Sequence, residues 1–333
     1  MPPLTHTRLP ASAPSMPVRP APAEYAPSLA SEGANMEIGD WPATEGLNEV
    51  MRQARELDLE RNLLELEAFG LTVVEPYRAA PPAFFERMRD AVFRIIAEES
   101  ADAVDINLQR PDTRPAGGRQ LFHLAAKDRV FVEALMRPYS SLFGRYMLGT
   151  TRRLYSTVAF YKKDEVGTTL LHNDSTGMPG PLPAYGNVCN ISWVLTDYTR
   201  ETGTFYMVPG SHRFCRHPAA VDQPRMMGGP APDDFGIPVE APAGSLIVFH
   251  GNMWHGTFPK TTAGERAHVA LAFCRNYVNP AEDYSDLPEE LVEEFGSELA
   301  WLVGREAWQG YRSEGPELPR MARVRGAATN QYY

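Results

Sequence analysis

The sequence has 333 residues, of which 43% are hydrophobic and 22% charged, and its formal net charge is −10 at pH 7. A chain of this length and composition can bury a sizeable core, so we expect a globular protein. The negative charge and the lack of a basic stretch argue against a nucleic-acid or membrane-surface partner and favour a small-molecule ligand. No apolar run approaches the roughly 20 residues that a membrane span requires.

Cysteine usage and the first residues of the chain bear on the compartment in which the protein works. Cys189, Cys215 and Cys274 are widely spaced and odd in number, which fits neither a disulfide framework nor a close-spaced metal motif. The N-terminal residues lack the basic start and apolar segment of a secretion signal. We therefore predict a cytoplasmic protein.

The composition changes once along the N-terminal part of the chain. Residues 1–36 are dense in Pro, Ala and Ser, so we expect a flexible tail there and a single domain at 37–333. From Thr44 onward, apolar residues recur at roughly helical intervals until Gly70, which is a stop signal for a helix. The run "LTVVEPY" that follows is typical of a strand.

The remaining elements are helices at the flanks and strands in the middle. Helices are predicted from Pro82 to about Glu98, from about Lys127 to Leu148 with an interruption at Pro138, and again in "LPEELVEEFGSELAWLVGREAWQG". Between Arg153 and Tyr277 lie short β-rich runs separated by Gly, Pro and Asn: "RLYSTVAFYKK", "NVCNISWVLTDY", "GTFYMVPGSH", "GSLIVFHGN" and "RAHVALAFCRNYV". Strands at this spacing indicate a sandwich or barrel.

His172 and Asp174 lie two residues apart in "TTLLHNDSTG", which has the pattern of an extended strand. Side chains two residues apart on a strand point to the same face, so the imidazole and the carboxylate are expected to lie together. A buried carboxylate needs a cationic partner, a hydrogen-bond network or a metal ion. Taken alone the pair is weak evidence, because the same spacing arises in ordinary surface pairs.

Two further stretches supply candidate partners for this pair. His250 ends the strand run "GSLIVFH", and His255 follows a Gly-Asn turn in "MWHGT", so either imidazole could reach the interior. In the last β-rich run, the alternate residues from Arg266 onward, including His268, form a small and polar face. Such a face leaves room for a ligand, and Arg266 could hold a ligand carboxylate through a bidentate contact.

Taken together, these motifs resemble those of the phytanoyl-CoA dioxygenase family of Fe(II)- and 2-oxoglutarate-dependent oxygenases. "HND" resembles the first two metal ligands of the family, "ETGTFYMVPGSH" its PGSH segment, and "GSLIVFHGNMWHGT" the hairpin that carries the distal histidine. The resemblance covers roughly Leu63 to Val278 and implies that His172, Asp174 and His255 bind Fe(II). It also implies an α+β fold, a double-stranded β-helix (the cupin-like jelly roll) with its core at about 153–278 and flanking α-helices.

The resemblance implies roles for further residues near the cosubstrate. Arg266, eleven residues after His255, matches the arginine that binds the distal carboxylate of 2-oxoglutarate, and Thr257 and Ser192 match positions close to the cosubstrate. His268 stands where related proteins often have a hydroxyl residue. It is either a core histidine or a cosubstrate contact.

The implied activity is that of a dioxygenase that hydroxylates or otherwise oxidises a small molecule with O2, while 2-oxoglutarate is decarboxylated to succinate. Two imidazoles and one carboxylate form the facial triad of non-haem iron oxygenases, although zinc accepts the same ligands. Relatives that halogenate carry a small residue at the position of Asp174, so its carboxylate favours oxygenation. The substrate, a natural product or an acyl-CoA thioester, is left open because substrate contacts lie on variable loops.

Two other classes of protein share the same ligand set. One is a non-catalytic jelly-roll protein that binds or senses a metal, which would not need Arg266. The other is a jelly-roll metalloenzyme that does not use 2-oxoglutarate. Metal analysis together with succinate release separates the three classes.

Overall fold

The amphipathic repeats at both flanks fold into helices, and the β-rich runs fold into two sheets. The computed structural model describes residues 43–99, 118–164, 167–175, 177–223, 236–305, 310–322 and 331–332. These residues belong to one structural unit. The tail predicted at 1–36 lies outside them, so the tail and the single-domain range of 37–333 stay predictions. Within the described ranges, every helix is too short or too polar to cross a membrane.

The helices follow the predicted ranges with three differences: the first predicted helix is divided in two, a short additional helix precedes the one predicted from about Lys127, and the last helix ends at Leu302, before the end of its predicted range. The helices in the described ranges are α1 Ala43–Glu56, α2 Glu60–Phe69, α3 Pro82–Glu99, α4 Leu124–Lys127, α5 Arg129–Leu135, α6 Pro138–Leu148 and α7 Glu289–Leu302. The first predicted helix breaks before α2, where Asp58 has a φ of 53°. Asp128 starts α5 by accepting a hydrogen bond from Val130 N (2.9 Å), which separates α4 from α5. Gly70 ends α2 with a φ of 80°, in the left-handed conformation that favours glycine.

The strands in the described ranges form two antiparallel sheets that face each other and a separate two-stranded hairpin. They are β1 Leu71–Val74, β2 Gly118–Leu121, β3 Arg153–Lys163, β4 Thr169–His172, β5 Val188–Val194, β6 Phe205–Met207, β7 Ile237–Val239, β8 Leu246–His250, β9 His255–Thr257, β10 Glu265–Cys274, and a hairpin of β11 Tyr311–Arg312 and β12 Gly315–Pro316. The larger sheet has the order β1-β8-β5-β10-β3-β2, and the smaller has the order β4-β9-β6-β7. The predicted α+β jelly roll is confirmed. It includes β1 and β2, which the predicted core range of 153–278 omits.

Strand β10 shows how the larger sheet separates the helices from the smaller sheet. Alternate residues of β10 are fully buried in a hydrophobic core that all seven helices share: Ala267, Val269, Leu271 and Phe273. The other residues face the smaller sheet, as Arg266 shows. Its Cζ lies 4.1 Å from the ring centroid of Tyr198 and 5.9 Å from that of Phe205 in β6. The small and polar face predicted for β10 therefore lines the interior between the sheets.

We expect Phe273→Ala to lower the free energy of unfolding by about 3–5 kcal/mol, because it removes a fully buried aromatic ring from beneath the helices. Phe69, at the end of α2, is 51% exposed, so Phe69→Ala should cost less than about 0.5 kcal/mol. Urea unfolding followed by tryptophan fluorescence measures both values. Equal losses in the two variants would contradict this packing.

Candidate functional site

Three side chains able to bind a metal meet between the sheets. His172 ends β4 and His255 begins β9, and the two residues are direct partners across these strands. Asp174 follows β4, and its backbone N donates to Gly251 O (2.9 Å). Nε2 of His172 is 3.7 Å from Oδ1 of Asp174, and Nε2 of His255 is 3.6 Å from Oδ2. One potential ligand atom from each of the three residues lies within 4.8 Å of the other two.

The strand predicted for "TTLLHNDSTG" ends earlier than expected. β4 stops at His172, and Asn173 turns away to contact Arg216 O (3.4 Å) and the ring of His217 (3.0 Å). Asp174 therefore approaches His172 from a bend. The two side chains do lie together, but the face of a strand is not what brings them there.

Both histidines present Nε2 to the centre of the cluster because backbone carbonyls hold their Nδ1 atoms. Nδ1 of His172 donates to Leu170 O (2.8 Å), and Nδ1 of His255 donates to Met253 O (3.0 Å). Burial lowers the pKa of His255 to about 4, so its imidazole is neutral at pH 7. A neutral imidazole whose Nδ1 is fixed in this way offers the Nε2 lone pair to a metal ion.

Asn190 in β5 fixes the carboxylate of Asp174. Its Nδ2 donates to Asp174 Oδ2 (2.5 Å). Asn190 is also the direct partner of Ala272 in β10, so this bond ties the carboxylate to the larger sheet. Outer contacts of this kind orient the ligands of metal sites. The alternation of β5 places Asn190 and Ser192 on one face, but no spacing in the sequence indicates which atom Asn190 contacts.

His250, the alternative third ligand, lies outside the cluster. Its Nδ1 accepts a hydrogen bond from Asn252 N (3.0 Å), and its ring centroid is 5.3 Å from that of His212. Burial, together with the nearby His212, lowers the pKa of His250 to about 3. The structure therefore brings His255, and not His250, to the other two potential ligands.

Arg266 is a buried cation without a hydrogen-bond partner for much of its guanidinium. The residue is 1% exposed, and its Nε and Nη2 have no partner within the part of the chain that the structure describes. Burial lowers the pKa of Arg266. Because a buried charge with unsatisfied donors is costly, the arrangement fits a ligand that carries a carboxylate.

Lys162 is a second buried basic side chain, which the sequence analysis missed. It is the direct partner of Arg266 across β3 and β10 and is 8% exposed. Burial, then Arg266 and Lys260, lower the pKa of Lys162 to about 6. In "FYKKDE" the residue resembles half of an exposed pair with Lys163. Side chains alternate between the two faces along β3. Had β3 been aligned with β10, this alternation would have placed Lys162 on the same face as Arg266.

Thr257 and Ser192 both face the interior. Thr257 Oγ1 accepts a hydrogen bond from Lys162 Nζ (2.9 Å) and donates one to Thr169 Oγ1 (3.1 Å). Ser192 lies opposite Ala270 of β10, and its buried Oγ has no hydrogen-bond partner among the described residues. Thr257 therefore belongs to the cationic end of the interior, and Ser192 offers an unused hydroxyl near its middle.

The imidazole of His268 is hydrogen-bonded and stacked within the protein. Its Nδ1 is hydrogen-bonded to Tyr198 Oη, and its ring stacks on Phe160 with centroids 4.9 Å apart and planes 9° apart. Burial holds the pKa of His268 well below its usual value. These contacts are those of a core histidine, which was one of the two interpretations left open.

The sequence was compared with protein families and with individual proteins. The sequence model of the phytanoyl-CoA dioxygenase (PhyH) family matches residues 66–268, which is more than half of the chain. The dioxygenase af480 of Aspergillus fumigatus is 28% identical over 195 residues. That alignment covers 58% of this chain and 60% of the relative, so the chain spans less than two thirds of that relative's length.

Two solved structures share the fold. HygX from Streptomyces hygroscopicus, with nickel, 2-oxoglutarate and hygromycin B bound, has a TM-score of 0.53 and 19% identity over 68% of this chain and 93% of HygX. EctD from S. alaskensis with bound Fe has a TM-score of 0.51 and 18% identity over 74% of this chain and 83% of EctD. With the family's sequence model matched over most of the jelly roll, the chain belongs to the phytanoyl-CoA dioxygenase family.

Proposed function

We propose that the protein is an Fe(II)- and 2-oxoglutarate-dependent dioxygenase that oxidises a small organic molecule and converts 2-oxoglutarate to succinate. The observation that carries the proposal is the pairing of two features in one interior. A cluster of two imidazoles and one carboxylate lies in the same space as a buried arginine with unsatisfied donors. Membership of the family supports the proposal, and so does the 2-oxoglutarate bound in HygX.

His172, Asp174 and His255 are the proposed iron ligands. Two imidazoles and a carboxylate on one side of a metal leave the remaining positions open, which is the ligand arrangement of non-haem Fe(II) oxygenases. Asn190 keeps the carboxylate of Asp174 directed at the two Nε2 atoms. Once bound, iron and 2-oxoglutarate supply the oxidising chemistry with O2, and these side chains hold them in place.

The cationic end of the interior is the proposed site for the distal carboxylate of 2-oxoglutarate. Arg266 offers the planar fork of donors that matches a carboxylate, and Lys162 beside it gains a second positive charge when binding of the carboxylate raises its pKa. Thr257 connects Lys162 to β9, the strand that begins with His255. We assign Ser192 a contact with the middle of the cosubstrate because its hydroxyl is buried and unsatisfied.

The carboxylate of Asp174 makes hydroxylation or a related oxidation the proposed outcome, because it occupies the ligand position that chloride would need. The substrate class is a small molecule, either a natural product or an acyl-CoA thioester. Cys189, Cys215 and Cys274 are free thiols, which supports a reducing cytoplasm as the place of action. A protein that only senses a metal, or an enzyme without 2-oxoglutarate, would have no use for two buried basic side chains facing an interior space.

Replacing His255 by Ala should weaken Fe(II) binding by at least about 100-fold, since even the loss of an outer contact costs about 10- to 100-fold. Succinate formation should be lost with the metal. His250→Ala is the matched control, because His250 is a buried histidine of the same hairpin outside the cluster. Anaerobic equilibrium dialysis with Fe(II) and a succinate assay measure both. Loss of iron in the His250 variant alone would contradict the ligand assignment.

Arg266→Ala should weaken 2-oxoglutarate binding by about 30-fold to several thousand-fold, because truncating one partner of a buried charge pair costs roughly 2–5 kcal/mol. Iron should still bind, and Arg266→Lys should recover part of the loss because a point charge lacks the guanidinium fork. Titration of the anaerobic iron-loaded protein, followed by its chelate absorption band, gives the dissociation constant. A folded Arg266→Ala protein with unchanged affinity would reject the assignment.

Affinity for 2-oxoglutarate should fall as the pH rises above about 6. Lys162 is neutral above its pKa of about 6, and an adjacent carboxylate raises that pKa, so binding takes up a proton. The dissociation constant should therefore increase by up to about tenfold per pH unit above pH 6. Lys162→Met should remove the dependence, and the exposed neighbour Lys163→Met should preserve it. Equal pH profiles for wild type and Lys162→Met would exclude this contact.

A further inference from the structure

Tyr155 is the extra residue of a β-bulge in β3. The pairing of β10 with β3 is regular from the pair Arg266–Lys162 to the pair Ala272–Ser156. The next residue of β10, Phe273, pairs with Leu154. Tyr155 therefore has no partner on β10. A bulge of this kind bends the strand and directs a side chain away from the face that simple alternation would give it.

The bulge places Tyr155 on the interior side of the sheet. Its neighbour Leu154 belongs to the core beneath the helices, together with Phe273. Tyr155 itself packs against a separate apolar cluster at the end of β10 away from Arg266. We call this group the apolar wall; besides Tyr155 it contains Met178, Val188, Ala272, Cys274 and Val278.

The apolar wall adjoins the carboxylate of the proposed metal site. Ala272 is the partner of Asn190, which donates to Asp174 Oδ2. Met178 N donates to Ser175 O (3.1 Å), directly after Asp174 in the chain. Burial raises the pKa of Tyr155, and the charge of Asp174 raises it further, in agreement with this position.

The backbone of Tyr155 is anchored while its hydroxyl is unused. Its carbonyl oxygen accepts hydrogen bonds from Ala281 N (3.0 Å) and Glu282 N (3.2 Å). The side chain is half-buried, and its hydroxyl has no hydrogen-bond partner among the residues that the structure describes. A tyrosine with an apolar body in a wall and a free hydroxyl beside it is suited to contact a ligand that is part apolar and part polar.

We infer that Tyr155 is a substrate-contacting residue that donates its hydroxyl hydrogen to an oxygen of the substrate, and that the rest of the substrate is apolar and uncharged. The inference rests on the proposed function, because iron bound at Asp174 would place the oxidised carbon next to the apolar wall. A neutral ketone or alcohol on a hydrocarbon skeleton has the required chemistry. A carboxylate or phosphate at the same place would lose its hydration without a compensating partner, because the residues of the apolar wall carry no positive charge.

Probe binding tests the inference without turnover. The probes are 1-indanone and 1-tetralone, their parent hydrocarbons indane and tetralin, and the corresponding 1-carboxylates. Equilibrium dialysis under argon, with Fe(II) and 2-oxoglutarate present, measures each dissociation constant. Wild type should bind the ketones more tightly than the hydrocarbons, and Tyr155→Phe should weaken ketone binding by about 2- to 12-fold and leave the hydrocarbons unchanged.

Tyr161→Phe is the matched control. Tyr161 lies on the same strand, but its hydroxyl donates to Glu265 Oε1 (2.6 Å) and its ring belongs to the core beneath the helices. This variant should bind every probe as wild type does. Unchanged ketone binding by Tyr155→Phe would overturn the inference. So would a failure of wild type to bind either ketone, whether or not the carboxylates bind.

Iron and 2-oxoglutarate binding are measured on the same samples, so the two proposals can fail separately. A wild-type protein that binds neither Fe(II) nor 2-oxoglutarate rejects the proposed function, even if Tyr155→Phe loses its preference for ketones. A protein that binds both, and whose ketone preference does not depend on Tyr155, rejects only the substrate contact.

Discussion

Strand β10 separates two environments, and the rest of the structure depends on that separation. One face of the strand is buried beneath all seven helices, and the other lines the space between the sheets. Only the strict period of two along a strand satisfies both demands. A slip of one residue would place Arg266 in the apolar core and turn Phe273 into the interior. Small residues such as Ala270 and Ala272 on the interior face leave the space in which a ligand can lie.

Basic and acidic side chains lie at opposite ends of the interior along this strand. Arg266 and Lys162 lie at one end, and the carboxylate of Asp174 lies with the two imidazoles at the other. A molecule with a carboxylate at one end and metal-binding oxygens at the other matches this order. The protein keeps the arrangement at a cost in stability, because a buried cation such as Arg266 without a carboxylate partner is unfavourable. The sorted charges are therefore better explained by ligand binding than by folding.

The sequence was informative wherever a feature follows from local periodicity. The helical repeats, the β-rich runs and the interior face of Arg266 all depend on spacings within one element. The spacing of the strands indicates only a sandwich or barrel, and the expectation of a jelly roll comes from the resemblance to the family. The division of the first helix at Asp58 and the early end of β4 at His172 depend on local backbone geometry that periodicity does not encode.

The contacts that the sequence could not supply depend on register between distant strands. Lys162 faces Arg266 because β3 and β10 align in one particular way, and no local pattern in "YKKDE" fixes that alignment. Tyr155 is harder still to predict, because the bulge leaves it without a partner on β10 and reverses which face of the sheet the preceding residues of β3 point to. Asn190 contacts Asp174 only after a bend has carried the carboxylate out of β4.

The hydrogen bonds around the three potential ligands have a consequence for which of these contacts a mutation can remove. Backbone carbonyls of Leu170 and Met253 fix the two imidazoles, and Asn190 fixes the carboxylate. In zinc fingers the ligands assemble only when the metal binds. Here the contacts that orient the donor atoms lie within the jelly roll itself, and two of them use backbone oxygens that every amino acid carries. Among these three contacts, the bond from Asn190 is therefore the one that a change of side chain deletes.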